Sequence, residues 1–324
     1  AWIAAVSPCE VETAMKAGFP AERILFTGTS VSRADLRAVF AVDGLTVNID
    51  AAEQLAVMGE VKRDFPKKTI RVSVRWNPGV GRGINARGIT AGKRSSDGTP
   101  IKFGVEAKKV LDVFRGAKKM GFRTVGLHQH LGSGWVREDF GMVRTAVDLM
   151  VRKAREIEKA GFPLEFLDFG GGFGPRYHKS RSVFPVEDFI AYLTGAVARS
   201  GLSVKALAIE PGKYMVADAG VLLLGVEYVK ESYGNIFACV DGGTFNTVPR
   251  PAIYLSAHHE IVNAGRVEGP HKARITVAGN LCETGDVFGR ERSMPLPESG
   301  DVLAVLCAGA YCRSMASNFN LREI

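Results

Sequence analysis

The chain has 324 residues, 46% of them hydrophobic and 23% charged, enough for two domains or for one large barrel with an appendage. No apolar run is long enough to cross a bilayer, and the formal net charge of +8 comes without a basic run interleaved with aromatics. These features set membrane and nucleic acid aside as expected partners and leave a solvated surface, or a mildly positive pocket for an anion, as the meaning of the charge. The five cysteines (Cys9, Cys239, Cys282, Cys307 and Cys312) have the spacing of neither a zinc site nor a disulfide framework, so free thiols and a cytoplasmic location are expected. The opening Trp2–Val6 run is too short, and lacks the basic flank, for a signal peptide.

In chain order, short β-rich runs alternate with amphipathic stretches. Strands are predicted at Trp2–Val6, Ile24–Thr27, Thr46–Ile49, Ile70–Trp76, Val125–His130, Phe166–Phe169 and Ala206–Glu210. Helical patterns between them include Ala34–Phe40, Glu106–Met120, Met142–Lys159 and Val186–Arg199. Such alternation predicts a parallel sheet with crossover helices. Several strands run directly into polar or glycine-rich ends, which is the habit of a (β/α)8 barrel rather than of a doubly wound sheet with one switch point. Seven strands fall one short of a closed barrel, and the shortfall sits most naturally at the start, so a TIM-like barrel without its first strand is expected over residues 1–217. The long loop 79–102, rich in Gly, Arg and Ser, reads as a functional lid or as disorder. After Glu210 the pattern changes: Val221–Val229, Ile236–Val240, Arg274–Ala278 and Val302–Leu306 are strand-like with no long helix between them, which predicts a mainly antiparallel β domain over 218–324.

Several groups of residues carry chemistry. Gly170-Gly171-Gly172-Phe173-Gly174 follows an apolar strand, where glycines let backbone N–H groups close on a phosphate, although such turns also serve plain chain reversal. Glu210-Pro211-Gly212-Lys213 ends the last barrel strand; a carboxylate there can hold a protonated heteroaromatic nitrogen, or sit in a surface turn. In His128-Gln129-His130-Leu131-Gly132-Ser133, alternation puts the two histidines on one side. Without an obvious third ligand no metal is expected, and an imidazole stacked on a planar cofactor with Ser133 near a phosphate competes with core packing. Cys282-Glu283-Thr284-Gly285-Asp286 offers a thiol beside a carboxylate as proton donor and recognition group, or a turn with a buried cysteine. Arg250 and Tyr254 flank Pro251-Ala252-Ile253, a spacing that can offer a guanidinium and a phenol to one carboxylate. The segment from Tyr311 to Asn320 is unusually polar.

Taken in order, His-x-His-Leu-Gly-Ser, Gly-Gly-Gly-Phe-Gly, Glu-Pro-Gly, Val-Asp-Gly-Gly at 240–243, Arg-Pro-Ala-Ile-Tyr, Cys-Glu-Thr-Gly-Asp and Gly-Ala-Tyr with Ser-Met-Ala-Ser-Asn resemble the fold-type III pyridoxal-phosphate-dependent decarboxylases, and within them the branch acting on diaminopimelate. The resemblance implies pyridoxal 5'-phosphate as cofactor and the conversion of meso-2,6-diaminoheptanedioate to L-lysine and CO2. It implies that His130 stacks on the cofactor ring and that Glu210 binds the pyridine nitrogen. Ser133, Gly171, Gly172 and Tyr311 are implied at the phosphate, with Gly212 and Lys213 beside the cofactor. Arg250, Tyr254 and Tyr311 are implied at the amino-acid substrate. Cys282 as proton donor and Glu283 as reader of the distal amine are implied to reach across a homodimer interface, giving shared active sites. Glutamate after the cysteine points to diaminopimelate, since relatives acting on ornithine carry aspartate there. Departures from the family pattern are Lys213 in place of an arginine, Gly-Thr-Ser-Val after Phe26, and no lysine matching the Schiff-base position at the end of the first barrel strand. A decarboxylase of another basic or carrier-linked amino acid, or an inactive homologue acting by binding, would share these motifs.

Overall fold

The computed structural model describes residues 1–254, 257–267, 269–270 and 273–324. They form two compact units: residues 1–172 with 184–210, and residues 173–183 with 211–324.

The first unit runs β1 (Ile3–Ala5), α1 (Pro8–Lys16), β2 (Ile24–Phe26), α2 (Arg33–Ala41), β3 (Thr46–Ile49), α3 (Gln54–Lys62), β4 (Arg71–Asn77), β5 (Val105–Glu106), α4 (Val110–Lys119), β6 (Arg123–His128), α5 (Phe140–Lys159), β7 (Phe166–Asp168), α6 (Val186–Ser200) and β8 (Ala206–Ala208). Its parallel strands follow the order β1-β2-β3-β4-β6-β7-β8, with β5 beside β4, and the path is open between β1 and β8. The seven predicted strands are the seven of that path. The pair Val105–Glu106 is too short to show a periodicity and escaped prediction. Central strands such as β2 and β3 are buried throughout, as a sheet covered by helices requires. Local chemistry starts the helices: Ser7 caps α1 by accepting from Glu10 N at 3.2 Å ahead of Pro8, and Ser32 with Asp35 forms a capping box on α2. Helix α5 buries Val143, Ala146, Val147, Met150, Val151, Ala154 and Ile157, a 3.6-residue stripe facing the sheet.

Register decides what the strand ends present. Arg75 pairs with His128 across β4 and β6, His128 with Asp168 across β6 and β7, and Asp168 with Ala208 across β7 and β8. Three polar residues thus share one rung at the carboxyl ends of the strands, and Glu210 lies two residues beyond the fourth. Loop 79–102 is a strap rather than a free lid. Asn77 Oδ1 accepts from Gly79 N and Gly92 N at 2.9 and 2.8 Å. Arg82 N donates to Leu131 O at 3.1 Å, Ile84 N to Ser133 O at 2.8 Å, and Ser133 N to Gly88 O at 2.8 Å. The strap is thereby backbone-paired to the stretch that follows His130.

The second unit contains α7 (Gly212–Val216), β9 (Leu222–Ser232), β10 (Asn235–Val240), α8 (Arg250–Ile253), β11 (Ile261–Asn263), β12 (Ala273–Ala278), β13 (Val287–Met294) and β14 (Val302–Val305). The sheet order is β11-β14-β9-β10-β12-β13, antiparallel except for the β10–β12 pair. Strands β9 and β10 form a hairpin through Tyr233 and Gly234, both at positive φ, which matches strand twist. Its core gathers Leu224, Val226, Val240, Ile275, Val277, Phe288, Leu303 and Val305. Strand β13 escaped prediction because Gly289-Arg290-Glu291-Arg292 breaks the apolar alternation, and its pairing with β12 is irregular there. Among the described residues no helix is long and apolar enough to cross a membrane, and all five cysteines are free.

Candidate active site

In the first unit, polar groups converge where the strands end. His128 Nε2 lies 3.4 Å from Glu210 Oε1, with the His128 side chain only 1% exposed. Ligand atoms of His128, Asp168 and Glu210 all lie within 4.8 Å of one another. Arg75 enters from β4, its Nε 3.7 Å from Asp50 Oδ1 and its guanidinium 4.5 Å from the centre of the Phe103 ring. Asp50 is held in turn by the Thr29 hydroxyl and by Gly104 N.

Burial sets the protonation of this cluster. It pushes His128 down to about 4, so the imidazole is neutral at neutral pH. Burial and then the Glu210 carboxylate push Asp168 up to about 7. Glu210 is also raised by burial, but His130 and Arg75 oppose the shift. Asp168 is therefore the member that its neighbour's charge pushes towards the protonated form, and Glu210 the member whose charge is supported. Arg75, lowered by burial, is kept charged by Asp50 and Glu210.

Around this cluster the glycines are needed for close backbone approach. A Cβ on Gly171 would sit 1.9 Å from Glu210 O, and one on Gly172, at φ +126°, would sit 2.5 Å from Gly132 O. Gly171 N donates to His130 Nδ1 at 3.2 Å, which fixes that ring against the turn. Gly172 O accepts from Gly134 N and Trp135 N at 2.8 and 2.7 Å. Gly172 N donates to no group among the described residues. An amide left open in a cradle that a Cβ would fill suits a phosphate. Glu210 Oε1 and both ring nitrogens of His128 are buried without a hydrogen-bond partner. An orphaned carboxylate oxygen of this kind suits a protonated ring nitrogen. The residues present therefore fit a phosphorylated pyridine cofactor.

The second unit holds a different set. Arg250, 4% exposed, opens α8, and Tyr254 follows one helical turn later, its N donating to Arg250 O at 2.8 Å. Among the described residues no carboxylate pairs with the Arg250 guanidinium, which instead lies 4.0 Å from the Tyr177 ring centre and donates to His259 Nε2 at 2.8 Å. Lys213 Nζ lies 5.1 Å from the Tyr311 ring centre. Burial and then Arg250 push Lys213 down to about 8. Tyr311 is half exposed and held at φ +54°. Cys282 and Glu283 stand exposed on a turn. That turn is built by buried Asp286, which accepts from Thr244 N, Thr244 Oγ1 and Leu281 N at 2.6, 2.7 and 2.8 Å, and by Asn320, which accepts from Cys282 N at 3.0 Å.

Residues 2–217 match the family described as pyridoxal-dependent decarboxylase, pyridoxal binding domain. The chain belongs to the pyridoxal-dependent decarboxylases. Pyridoxal phosphate is the cofactor and loss of a carboxyl group as CO2 is the chemistry of this family. The chain is 40% identical over 326 residues to a diaminopimelate decarboxylase of Methanothermobacter thermautotrophicus, covering 99% of this chain and 72% of that protein. It is 33% identical to one from Campylobacter jejuni, covering 98% and 75%. The crystal structure of diaminopimelate decarboxylase from Helicobacter pylori complexed with L-lysine superposes with a TM-score of 0.89 at 29% identity, covering 99% of this chain and 77% of that one.

Within this decarboxylase the first unit brings together His130, Gly171, Gly172 and Glu210, with Ser133 on the strap-bound stretch. The second unit carries Gly212, Lys213, Arg250, Tyr254, Cys282, Glu283 and Tyr311. Sequence reasoning missed Asp50, Arg75, Asp168, Tyr177 and His259. Arg75 had a signal, a charge inside the apolar run Val72–Trp76, and Asp168 another, a carboxylate directly before the glycine turn. Tyr177 and His259 had none, because their contacts with Arg250 exist only through packing.

Proposed function

We propose that this decarboxylase converts meso-2,6-diaminoheptanedioate to L-lysine and CO2, in the cytoplasm, as a homodimer with shared active sites. The observation that carries the reading is Arg250, a buried guanidinium with no carboxylate partner among the described residues. A buried cation is stable only when paired, so the site calls for an anionic group from the substrate. The diaminopimelate decarboxylase relatives at 40% and 33% identity support the same choice.

Bound pyridoxal phosphate supplies the sink for the electron pair released as the Cα–carboxylate bond breaks. Glu210 holds the proton on the pyridine nitrogen, and Asp168 beside it, raised to about 7, disfavours a second negative charge. His130 stacks on the ring, held by Gly171 N. Ser133, Gly171, Gly172, Gly212 and Tyr311 serve the phosphate, and Lys213 adds positive charge. Arg250 and Tyr254 hold the carboxylate at the far end. Cys282 returns the proton to Cα, and Glu283 binds the distal ammonium; both are supplied to the barrel of the other subunit, which their exposure on a pinned turn permits.

The test is to measure kcat/KM for diaminopimelate, lysine and ornithine side by side on the full-length protein. Presented for decarboxylation, lysine and ornithine have their one carboxylate at the reacting carbon and leave Arg250 unpaired, so both should be poor substrates. Arg250→Ala should cost about 2–5 kcal/mol in kcat/KM for diaminopimelate, the scale for truncating one partner of a buried charge pair. Ornithine or lysine matching diaminopimelate would replace this reading with a broader basic-amino-acid decarboxylase. For the shared site, mixing inactive Cys282→Ala and Glu210→Ala proteins should restore activity in hybrid dimers; no recovery despite subunit exchange would count against it.

A further inference from the structure

We propose that His259 and Tyr177 are positioning residues that hold the Arg250 guanidinium, uncompensated and fixed in direction, for the carboxylate at the far end of the substrate. The inference rests on the reading of Arg250 given above.

The geometry is a relay from rigid backbone to guanidinium. Leu306 directly follows β14, and its carbonyl lies 2.8 Å from His259 Nδ1. A carbonyl only accepts, so Nδ1 carries the proton and donates it. Nε2 is then the lone-pair nitrogen, and it lies 2.8 Å from an Arg250 terminal nitrogen, which only donates. Both contacts are satisfied by one neutral tautomer and by no other protonation state. His259 is fully buried, at 0% exposure, so the ring has no alternative partner in water. The basic groups around it, Arg250, His258 and Arg292, all disfavour a second proton, and burial does so most.

Tyr177 supplies the second support. Its ring faces the guanidinium carbon at 4.0 Å and meets the His259 ring edge-on at 5.3 Å. It is anchored by packing with Ala217 and Ala310. This tyrosine lies in residues 173–183, the excursion from the first unit's chain that is built into the second unit. Both supports are uncharged. An aspartate at position 259 would fix the guanidinium equally well but would neutralise it. A neutral imidazole and an aromatic face fix it while leaving its full charge, and the N–H groups not spent on His259, for an incoming anion.

The experiment compares L-lysine with cadaverine, which has the same two amines and no carboxylate. Dissociation constants are measured by calorimetry on the full-length protein loaded with cofactor, for wild type and for Arg250→Ala, His259→Ala, His259→Gln and Tyr177→Leu. The preference for lysine over cadaverine should vanish in Arg250→Ala. It should fall about tenfold or more in His259→Ala, the scale of a hydrogen bond to a charged group. In Tyr177→Leu it should fall roughly threefold, the scale of an aromatic contact with a cation. His259→Gln, whose amide both accepts and donates, should recover part of the loss. Cadaverine affinity should stay constant throughout, and for diaminopimelate the variants should raise KM more than they lower kcat.

An Arg250→Ala protein that still prefers lysine would overturn the underlying reading of Arg250. If Arg250→Ala loses the preference while both His259 variants keep it, the positioning role is wrong although the reading of Arg250 stands. Equal losses for lysine and cadaverine in the His259 variants would mark a merely structural residue and also overturn the inference. Should His259→Ala fail to fold, as judged by circular dichroism, His259→Gln and Tyr177→Leu decide alone: a preference unchanged in both overturns it.

Discussion

The two units solve opposite electrostatic problems. The first collects Asp50, Asp168 and Glu210 around one arginine and a neutral histidine, so it is organised to meet a cation. The second buries Arg250 beside uncharged partners, with Lys213 near enough to feel its charge, so it is organised to meet an anion. The means differ as well. In the first, strand register alone places Arg75, His128 and Asp168 on one rung. In the second, a single helical turn and two pinned loops carry the groups, and packing rather than periodicity aims them. An acidic site built on strand ends eases its like charges by raising Asp168. A basic site built on turns keeps its charge by choosing neutral neighbours.

The largest expected effect tests the acidic side. Glu210→Gln removes the charge that we propose holds the pyridine proton and should lower kcat by roughly 10²–10³-fold, the scale for one preorganised group facing developing charge. Wild-type turnover by that variant would remove Glu210 from the electron-sink role. Next is the cradle. Gly171→Ala would place a Cβ 1.9 Å from Glu210 O. Overpacking against backbone should cost about 1–3 kcal/mol of stability and displace Glu210. Urea unfolding and cofactor titration together check this; unchanged cofactor affinity would show that the glycine serves only the turn.

Acidification separates the two units more finely. His128 and His259 are both pushed from an ordinary 6.5 down to about 4, so the unfolded chain binds more protons between those values. Their contribution to stability is complete above about 6.5 and is lost as pH falls towards 4. Asp168, raised from 3.8 to about 7, works in the opposite sense: its contribution is complete below 3.8 and is lost as pH rises through 7. The first unit holds both kinds of group, whereas the second holds His259, with His258 also lowered, and no raised carboxylate among its described residues. Hydrogen exchange, corrected for intrinsic rates, should show residues 211–324 losing protection between pH 7 and 4.5 more than residues 1–172 do. Equal losses would mean that Asp168 does not hold a proton in the fold. The smallest effect lies at alkaline pH. Lys213, pushed down to about 8, should lose its proton as pH rises through that value, weakening pyridoxal phosphate affinity. Lys213→Arg, which stays charged, should carry the affinity past pH 9; identical profiles would place Lys213 away from the phosphate.

The sequence by itself determined the parallel strand path and the change to a β-rich unit after Glu210, and it offered candidate site residues in short contiguous runs: His130 to Ser133, Gly171 and Gly172, Glu210, and Cys282 with Glu283. These were legible because strand alternation, helical periodicity and the special backbone needs of glycine act over a few neighbouring residues. Strand β13 was illegible because its charged centre hides the alternation. Loop 79–102 was illegible because the partners of its backbone lie on the Leu131–Ser133 stretch. Only the tertiary structure decided that Asp168 stands beside Glu210, that Arg75 is paired with Asp50, and that Tyr177 and His259 grip Arg250 across 73 and 9 positions of sequence. The physical reason is that burial and charge coupling depend on distance in space, and no local pattern of side chains records which distant residue will remove a group from water.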